Sequence, residues 1–126
     1  MHFHFAAEIF FRVPFERLRA YYHHALATIV PSVCYETFGI TLIESFRQRT
    51  PVIARRLGPF PEIVAQSGAG ELFETEAELI DAMRKLQSDD ANRNRLADNG
   101  YRASIDLWSE SAVVPRYLDV VERARK

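Results

Sequence analysis

The most informative part of the chain is the segment Pro31-Ser32-Val33-Cys34-Tyr35-Glu36-Thr37-Phe38-Gly39-Ile40-Thr41. An apolar run at residues 25–30 precedes it, and an amphipathic stretch that carries a second carboxylate, Glu44, follows it. A strand, a glycine-containing turn and a helix frame many binding pockets of α/β proteins. Carboxylates only accept hydrogen bonds and every hydroxyl donates one. The two glutamates therefore predict a pocket for a sugar or a nucleotide.

The composition predicts one ordinary globular domain. The chain has 126 residues, of which 48% are hydrophobic and 26% are charged, and both fractions are typical of folded proteins. This length suits a single domain, so we expect residues 1–126 to fold as one unit. A formal net charge of −1 provides no strongly basic surface for nucleic acid. No apolar run approaches the roughly 20 residues of a transmembrane helix.

The cysteine content and the first residues bear on the cellular compartment. Cys34 is the single cysteine, so no internal disulfide can form, which fits a reducing compartment. Residues 1–8 contain no lysine or arginine, and a signal peptide normally begins with basic residues. The sequence therefore predicts a cytoplasmic protein.

Strand and helix patterns alternate along the first part of the chain. Short segments rich in β-branched and aromatic residues predict strands at residues 7–13, 25–30, 51–54 and 71–73. Apolar residues at helical spacing predict helices at residues 15–25, 41–49 and, for a single turn, 62–65. Strands that alternate with helices through tight connections form a parallel sheet with right-handed crossovers.

The remaining part is helical by pattern. Thr75–Glu78 is a capping-box sequence, and Asp89-Asp90 starts a second helix that we expect to stop near Asn99-Gly100. Residues 110–123 predict a last helix, within a terminal segment 109–126. The fold class is α/β, with a partial doubly wound, Rossmann-like parallel sheet and C-terminal helices. Four strands are few, because sheets average about five to six, so the chain looks like the second half of such a domain.

Ligands of open parallel sheets bind beyond the carboxyl ends of the strands. Residues 31–41 and 55–61 meet that condition, and the first loop is the better candidate. Gly39 would let the backbone approach a ligand, and the helix after it would present free N–H groups and a positive dipole. That dipole would stabilise a bound diphosphate by about 0.3–2 kcal/mol.

Glu36 and Glu44 are the candidate acceptors for ligand hydroxyls, and each charge-assisted bond contributes about 1.5–3 kcal/mol. Simpler interpretations stay open. Thr41–Glu44 is itself a capping-box pattern, so Glu44 could only secure the helix start. Glu36 could be a solvated loop acid, and Gly39 could serve turn geometry alone.

The pattern around these residues resembles a known family. The motif Pro31-Ser32-x-x-Tyr35-Glu36-x-Phe38-Gly39-x-x-x-x-Glu44 is similar to the donor-binding signature of retaining, group 1 glycosyltransferases of the GT-B fold, the glycogen-synthase-like group. Upstream, Leu18-x-x-Tyr21-Tyr22-x-x-Ala25 is similar to the helix before that signature. Downstream, Thr50–Ala54, Gly58 and Glu62–Val64 resemble the next strand and turn. Residues 8–125 follow the family in order.

The resemblance implies a donor site in this chain. Glu36 would contact hydroxyls of the transferred sugar, and Glu44 would bind the nucleotide ribose. Backbone amides around Phe38, Gly39, Ile40 and Thr41 would cover the sugar and the diphosphate of a UDP- or GDP-sugar. The resemblance implies neither a metal nor another cofactor, and it assigns no catalytic residue to this chain.

The chain also departs from the family pattern. Gln48-Arg49 stands where the family usually has a glycine, and Pro59 replaces a second glycine. Arg55 and Arg56 fall near the floor of the implied pocket, although loop arginines more often face solvent.

Two parts of the family's machinery do not match this chain. A basic pair that neutralises the donor diphosphate and a separate acceptor domain both belong to preceding sequence. We therefore expect the C-terminal part of a hexosyltransferase-type enzyme, as a fragment or truncated reading frame, with little activity alone. The missing acceptor domain, or a second copy at an open sheet edge, would be its partner. The alternative is a noncatalytic half-domain that serves binding or assembly with a separate chain.

Other candidate sites are weaker. His2 and His4 alternate on a possible strand and His23-His24 diverge on a helix, so we expect no metal site. Cys34 has no neighbouring base, and we expect it and Trp108 to be packing residues.

Overall fold

The computed structural model of the chain describes residues 7–126, so His2 and His4 lie outside the described residues. The elements, in chain order, are α1 (Phe15–His24), β1 (Thr28–Val30), α2 (Ile40–Arg47), β2 (Val52–Arg55), α3 (Phe60–Ser67), β3 (Gly70–Phe73), α4 (Glu76–Ser88), α5 (Asp90–Asp106) and α6 (Glu110–Ala124).

The strands form one parallel sheet in the order β1-β2-β3. Thr28 lies opposite Val52, and Val52 lies opposite Gly70 on its other side. A helix connects each strand to the next. The predicted α/β class with a parallel sheet and C-terminal helices is confirmed.

The predicted strand at residues 7–13 is wrong. This segment has no regular structure, and its Phe10 ring packs against Tyr21 of α1 with 5.1 Å between ring centroids. Ile9 and Phe11 are 84% and 100% exposed. The sequence pattern reports a preference for extended backbone, but a strand also needs a neighbouring strand to receive its hydrogen bonds. Among the described residues, β1 pairs with β2 alone.

The sheet separates two groups of buried side chains. Val52 and Ala54 of β2 face α2 and α3, where Phe46 and Phe60 are buried. Ile53, which alternates with them, faces the opposite layer with α4 and α5. Burial of β2 on both faces explains why Val52, Ile53 and Ala54 are all apolar, without polar residues in alternation.

The helix starts follow the capping signals in the sequence. Thr75 Oγ1 accepts a hydrogen bond from the Glu78 backbone N–H at 3.2 Å, and Asp89 Oδ1 accepts one from the Asn92 N–H at 2.9 Å. Both predicted starts are therefore confirmed. Helix α3 is longer than the single turn predicted, because its apolar residues lie in the core.

The predicted stop of α5 at Asn99-Gly100 is wrong, since the helix continues to Asp106. Gly100 lies where α5 crosses α2 and the loop before β3. A Cβ at this position would lie 2.8 Å from Phe46 Cδ1 and 2.9 Å from Ala69 Cβ. The glycine permits close helix packing and does not end the helix.

Helix α6 matches its predicted range closely, and Ser109 Oγ accepts a hydrogen bond from the Ala112 N–H at 3.2 Å at its start. None of its residues is buried. No helix among residues 7–126 combines the length and apolar character needed to cross a bilayer.

Candidate functional site

The loop after β1 lies against the end of β2 and the loop that follows it. Arg55 Nε donates a hydrogen bond to the Pro31 carbonyl oxygen at 3.1 Å. A Cβ on Gly58 would lie 3.4 Å from the backbone oxygen of Glu36. The two loops predicted to lie at the carboxyl edge of the sheet, residues 31–41 and 55–61, therefore contact one another there.

Gly39 supports the turn from this loop into α2. It is the N-cap residue with a φ of 79°, a left-handed conformation that favours glycine. A Cβ here would lie 2.8 Å from Ile63 Cδ1 of α3. The space that the missing side chain leaves is thus filled by α3, and Gly39 serves turn geometry and packing.

Helix α2 begins at Ile40, so Thr41 is already inside the first turn, and no side chain caps this end. The Thr41–Glu44 capping box is therefore wrong. In its place, the first backbone N–H groups of α2 have no carbonyl partner within the helix and point beyond its start.

These N–H groups open into a shallow cavity of about 340 Å³. A single continuous segment forms its lining, which consists of Tyr35, Glu36, Thr37, Phe38, Gly39, Ile40 and Thr41. Five of the six residues predicted for donor binding therefore lie together. Glu36 is half-buried here, and Phe38 is exposed.

Glu44, the sixth predicted residue, lies in a neighbouring cavity of about 360 Å³ between α1 and α2. Its carboxylate Oε2 accepts a hydrogen bond from the Tyr22 hydroxyl at 3.3 Å. Burial, together with the negative charge and the hydrogen bond of Glu44, raises the pKa of Tyr22 to about 12.

The two glutamates thus line adjacent cavities, and Ile40 lines both. Glu44 follows Ile40 by one turn of α2, so a ligand that passes over Ile40 could reach both carboxylates. Whether both glutamates bind one ligand stays a prediction.

Sequence reasoning missed the contribution of α1 to this region. Phe15, Arg19 and Tyr22 line the cavity from one face of α1. Their spacing of four and then three residues is the helical repeat that would have placed them together. The signal that they face α2 is absent from the local sequence.

The chain matches a known family over most of its length. The family described as "Glycosyl transferases group 1" matches residues 6–103. The chain belongs to the group 1 glycosyltransferases.

Individual glycosyltransferases are similar to the chain in sequence. The chain is 31% identical over 112 residues to the MMP alpha-(1->4)-mannosyltransferase of Mycolicibacterium hassiacum, covering 86% of this chain and 27% of that protein. It is 28% identical over 120 residues to the alpha-maltose-1-phosphate synthase of Mycobacterium tuberculosis, covering 89% of this chain and 31% of that protein.

The solved structure of a sucrose-phosphate synthase from Thermosynechococcus elongatus is similar, with a TM-score of 0.78 and 28% sequence identity. The match covers 90% of this chain and 29% of that structure. The chain therefore spans less than a third of the length of these relatives, and the resemblance to a GT-B glycosyltransferase is confirmed.

The departures from the glycosyltransferase pattern have specific structural consequences. Arg49 adopts a φ of 59°, so it occupies a left-handed position in which the family usually has glycine. Arg55 donates a hydrogen bond to the Pro31 carbonyl oxygen, and Arg56 Nε lies 3.5 Å from Glu74 Oε1. Neither Arg55 nor Arg56 lines the cavity at residues 35–41.

The weaker candidates can also be placed. The prediction that Cys34 is a packing residue is wrong, because this residue is exposed. Trp108 stacks on Phe46 with 6.1 Å between ring centroids, as a packing residue does. Among residues 7–126, no group of three or more His, Cys, Asp or Glu side chains could hold a metal ion.

Proposed function

We propose that this chain is the donor-binding part of a glycosyltransferase that transfers a sugar from a nucleotide-sugar with retention of configuration. The observation that carries the proposal is the uncapped start of α2, which opens at the carboxyl edge of the sheet beside Glu36. Membership of the group 1 family supports it independently.

The roles follow from hydrogen-bonding capacity. Glu36 accepts hydrogen bonds from the transferred sugar. Glu44 keeps Oε1 for a ribose hydroxyl while its Oε2 accepts from Tyr22. The N–H groups at the start of α2 bind the diphosphate, whose negative charge the helix dipole stabilises. The exposed Ile40 side chain lies under the ligand between the two cavities.

Transfer in the whole enzyme would proceed on one face of the sugar and would need no metal. Stabilising the leaving diphosphate and positioning an acceptor hydroxyl both contribute to such a reaction. We assign the additional positive charge and the acceptor site to a partner domain, and the donor to the UDP- or GDP-sugars. We also place the protein in the cytoplasm, because its single thiol, Cys34, is compatible with reducing conditions.

Titration with UDP or GDP tests the donor site. We expect chemical-shift changes in the backbone amides of residues 36–44, followed by NMR. Glu36→Gln leaves the diphosphate contacts intact, so it should weaken binding of the UDP-sugar more than binding of UDP. Glu44→Gln should weaken both about tenfold, because each loses a charge-assisted bond to ribose.

Glu76→Gln is the matched control, since Glu76 is exposed on α4 and lines neither cavity. Saturating UDP and GDP that leave the amides of residues 36–44 unchanged would contradict the donor site. Transferase activity is a separate measurement. We expect no sugar transfer from the isolated chain, and efficient turnover by this chain alone would contradict the need for a partner domain.

The second candidate function is a noncatalytic module that assembles with another chain, or with a second copy, through the open edge of the sheet. One observation favours it. An apolar groove of about 270 Å³ lies between β1, which has one strand neighbour among residues 7–126, and α4, and it includes the exposed side chains of Leu26, Ile29 and Met83. Unpaired strand edges promote association.

Sedimentation analysis of the purified chain tests assembly with a second copy. Assembly through β1 predicts a concentration-dependent dimer that Ile29→Lys abolishes, because a charge at a strand edge opposes pairing. Val120→Lys on α6 is the control, since Val120 is exposed and distant in sequence from the sheet. A monomer at all concentrations would exclude self-assembly.

A further inference from the structure

The cavity between α1 and α2 carries positive charge that the donor roles do not use. Arg19 from α1 and Arg47 from α2 line it, together with Tyr22 and Glu44. Arg47 follows Glu44 by three residues, and Arg19 precedes Tyr22 by three, so each arginine lies on the cavity-facing side of its helix. Two helices that are separate in sequence therefore bring two arginines to the lining of one cavity.

These two arginines have no carboxylate partner among the described residues. The ion pairs in residues 7–126 use other arginines and a lysine, namely Arg49, Arg56, Lys85, Arg93, Arg123 and Arg125. Glu44 lies in the same cavity, yet its hydrogen bond is to Tyr22. Two cationic groups against one carboxylate leave this cavity with a net charge of +1.

We propose that Arg19 and Arg47 bind a phosphate group in the α1–α2 cavity, and that Glu44 accepts a hydroxyl of the same ligand. The inference rests on the proposed function for the class of this ligand, a phosphate ester of a sugar or nucleoside. Guanidinium groups suit phosphate because their N–H groups donate paired, charge-assisted hydrogen bonds. Arg19 and Arg47 would thus provide positive charge for a phosphate from this chain, in addition to any from a partner domain.

The phosphate could belong to the donor nucleotide or to a separate phosphorylated sugar. Both sources present the same chemistry to the arginines. A nucleotide would also occupy the cavity at residues 35–41, whereas a sugar phosphate would occupy the α1–α2 cavity alone. The two cases therefore differ in which amides respond to the ligand.

Inorganic pyrophosphate is the first probe, because it tests the arginines without the donor sugar. We expect changes in the Nε–Hε signals of Arg19 and Arg47 by NMR. Arg19→Gln and Arg47→Gln should each weaken pyrophosphate binding about tenfold, and should reduce its salt dependence. Arg84→Gln is the control, since Arg84 is exposed on α4 and lines neither cavity. Pyrophosphate that leaves the signals of Arg19 and Arg47 unchanged would overturn the inference.

Glu44→Gln gives a second test, because it should change the affinities for pyrophosphate and for UDP in opposite directions. Removing the carboxylate removes repulsion of the phosphate, so pyrophosphate should bind several-fold more tightly. UDP should bind less tightly, because its ribose loses an ionised acceptor. Weaker binding of both ligands would contradict a phosphate site beside Glu44.

Parallel titrations with UDP and glucose 1-phosphate identify the source of the phosphate and separate the two proposals. If UDP shifts residues 36–44 and the arginine variants bind it normally, while pyrophosphate and glucose 1-phosphate leave the signals of Arg19 and Arg47 unchanged, the phosphate site is refuted and the donor site stands. If pyrophosphate binds at the arginines while UDP leaves residues 36–41 unchanged, the donor site is refuted and the phosphate site stands.

Discussion

Arg49 shows how a single backbone angle explains a departure from the family pattern. It has a φ of 59°, and its guanidinium contacts both Asp98 Oδ1, at 3.1 Å, and the ring of Tyr101, at 3.8 Å from the centroid. A left-handed conformation costs an L-residue about 1–2 kcal/mol. Contacts of this exposed kind return about 0.5–1 kcal/mol each. The side chain thus offsets much of the strain that a glycine would avoid.

We therefore predict that Arg49→Gly is more stable than Arg49→Ala, by about 1 kcal/mol in the free energy of unfolding. Both variants lose the contacts to Asp98 and Tyr101, but Ala alone keeps the strain. Denaturant unfolding measures the difference. Arg84 inside α4 is the control, because Gly should there be less stable than Ala by about 1 kcal/mol. The same order at both positions would contradict the strain at Arg49.

Tyr22 gives a prediction about pH. Its pKa is raised from the ordinary value of 10.0 to about 12, first by burial and then by Glu44. The unfolded chain consequently loses this proton first as the pH rises. The contribution of Tyr22 to stability is fully present below about pH 10, and it declines as the pH rises toward 12.

Glu44→Gln should lower the pKa of Tyr22 toward 10.0, because it removes the negative charge that opposes ionisation. The phenolate absorbance of the protein, minus that of Tyr22→Phe, isolates this residue from the other tyrosines. If the Glu44→Gln variant and the unsubstituted protein gave the same pKa for Tyr22, burial alone would be what raises it.

The sequence predicted Glu36 and Glu44 as donor-binding residues, but it did not predict which side chains surround them. Their residue type and spacing are local properties, so the pattern carries them. The partner of Glu44 is Tyr22, which is twenty-two residues earlier in the chain. That contact depends on how α1 lies against α2, which no local periodicity encodes.

Helix α5 shows that local sequence patterns can also misplace the end of a helix. Asn99-Gly100 has the composition of a helix end, yet Gly100 is buried inside the helix against Phe46. The close approach of another element explains the glycine, and a single sequence does not contain that information. The N-terminal ends of α4 and α5 were more predictable. Their caps, Thr75 and Asp89, bond to backbone N–H groups only three residues further along the chain.

We predict that Gly100→Ala destabilises the protein, although alanine is the better helix former by about 1 kcal/mol. The added Cβ would lie 2.8 Å from Phe46 Cδ1, and overpacking of this kind typically costs about 1–3 kcal/mol. Thermal or denaturant unfolding measures the change.

Ala69→Gly removes Ala69 Cβ, which would lie 2.9 Å from the new methyl group. The cost of Gly100→Ala should therefore be smaller in an Ala69→Gly background, which a double-mutant cycle reports as favourable coupling. Stabilisation by Gly100→Ala would contradict the prediction, because it would mean that Phe46 and Ala69 move apart from α5 at little cost.

At the scale of the molecule, the sequence predicted the class of fold and the order of elements. Alternation of strand and helix carries that information, because each pattern reflects burial on one or two faces. The number of strands was not predictable in this way. Residues 7–13 have the composition of a strand but lie against α1 through Phe10, with Phe11 in solvent. Pairing depends on the whole sheet.

Helix α6 provides the last prediction, because the core is complete without it. It buries no residue, and Val113, Tyr117 and Leu118 on its apolar side are 39%, 67% and 54% exposed. Trp108, which stacks on Phe46, lies before this helix in sequence and is therefore not part of it. Removing residues 110–126 should therefore lower the free energy of unfolding by no more than about 1–2 kcal/mol.

Fluorescence of Trp108, the single tryptophan, follows unfolding in both forms of the protein. We expect the shortened chain to unfold cooperatively with a nearly unchanged native spectrum. Removal of residues 90–126 is the contrasting variant. It deletes α5, whose Leu96, Gly100 and Ala103 are buried, and should abolish cooperative folding, as followed by circular dichroism. If the loss of α6 alone had that effect, its apolar side would have to pack on the core, contrary to its exposure.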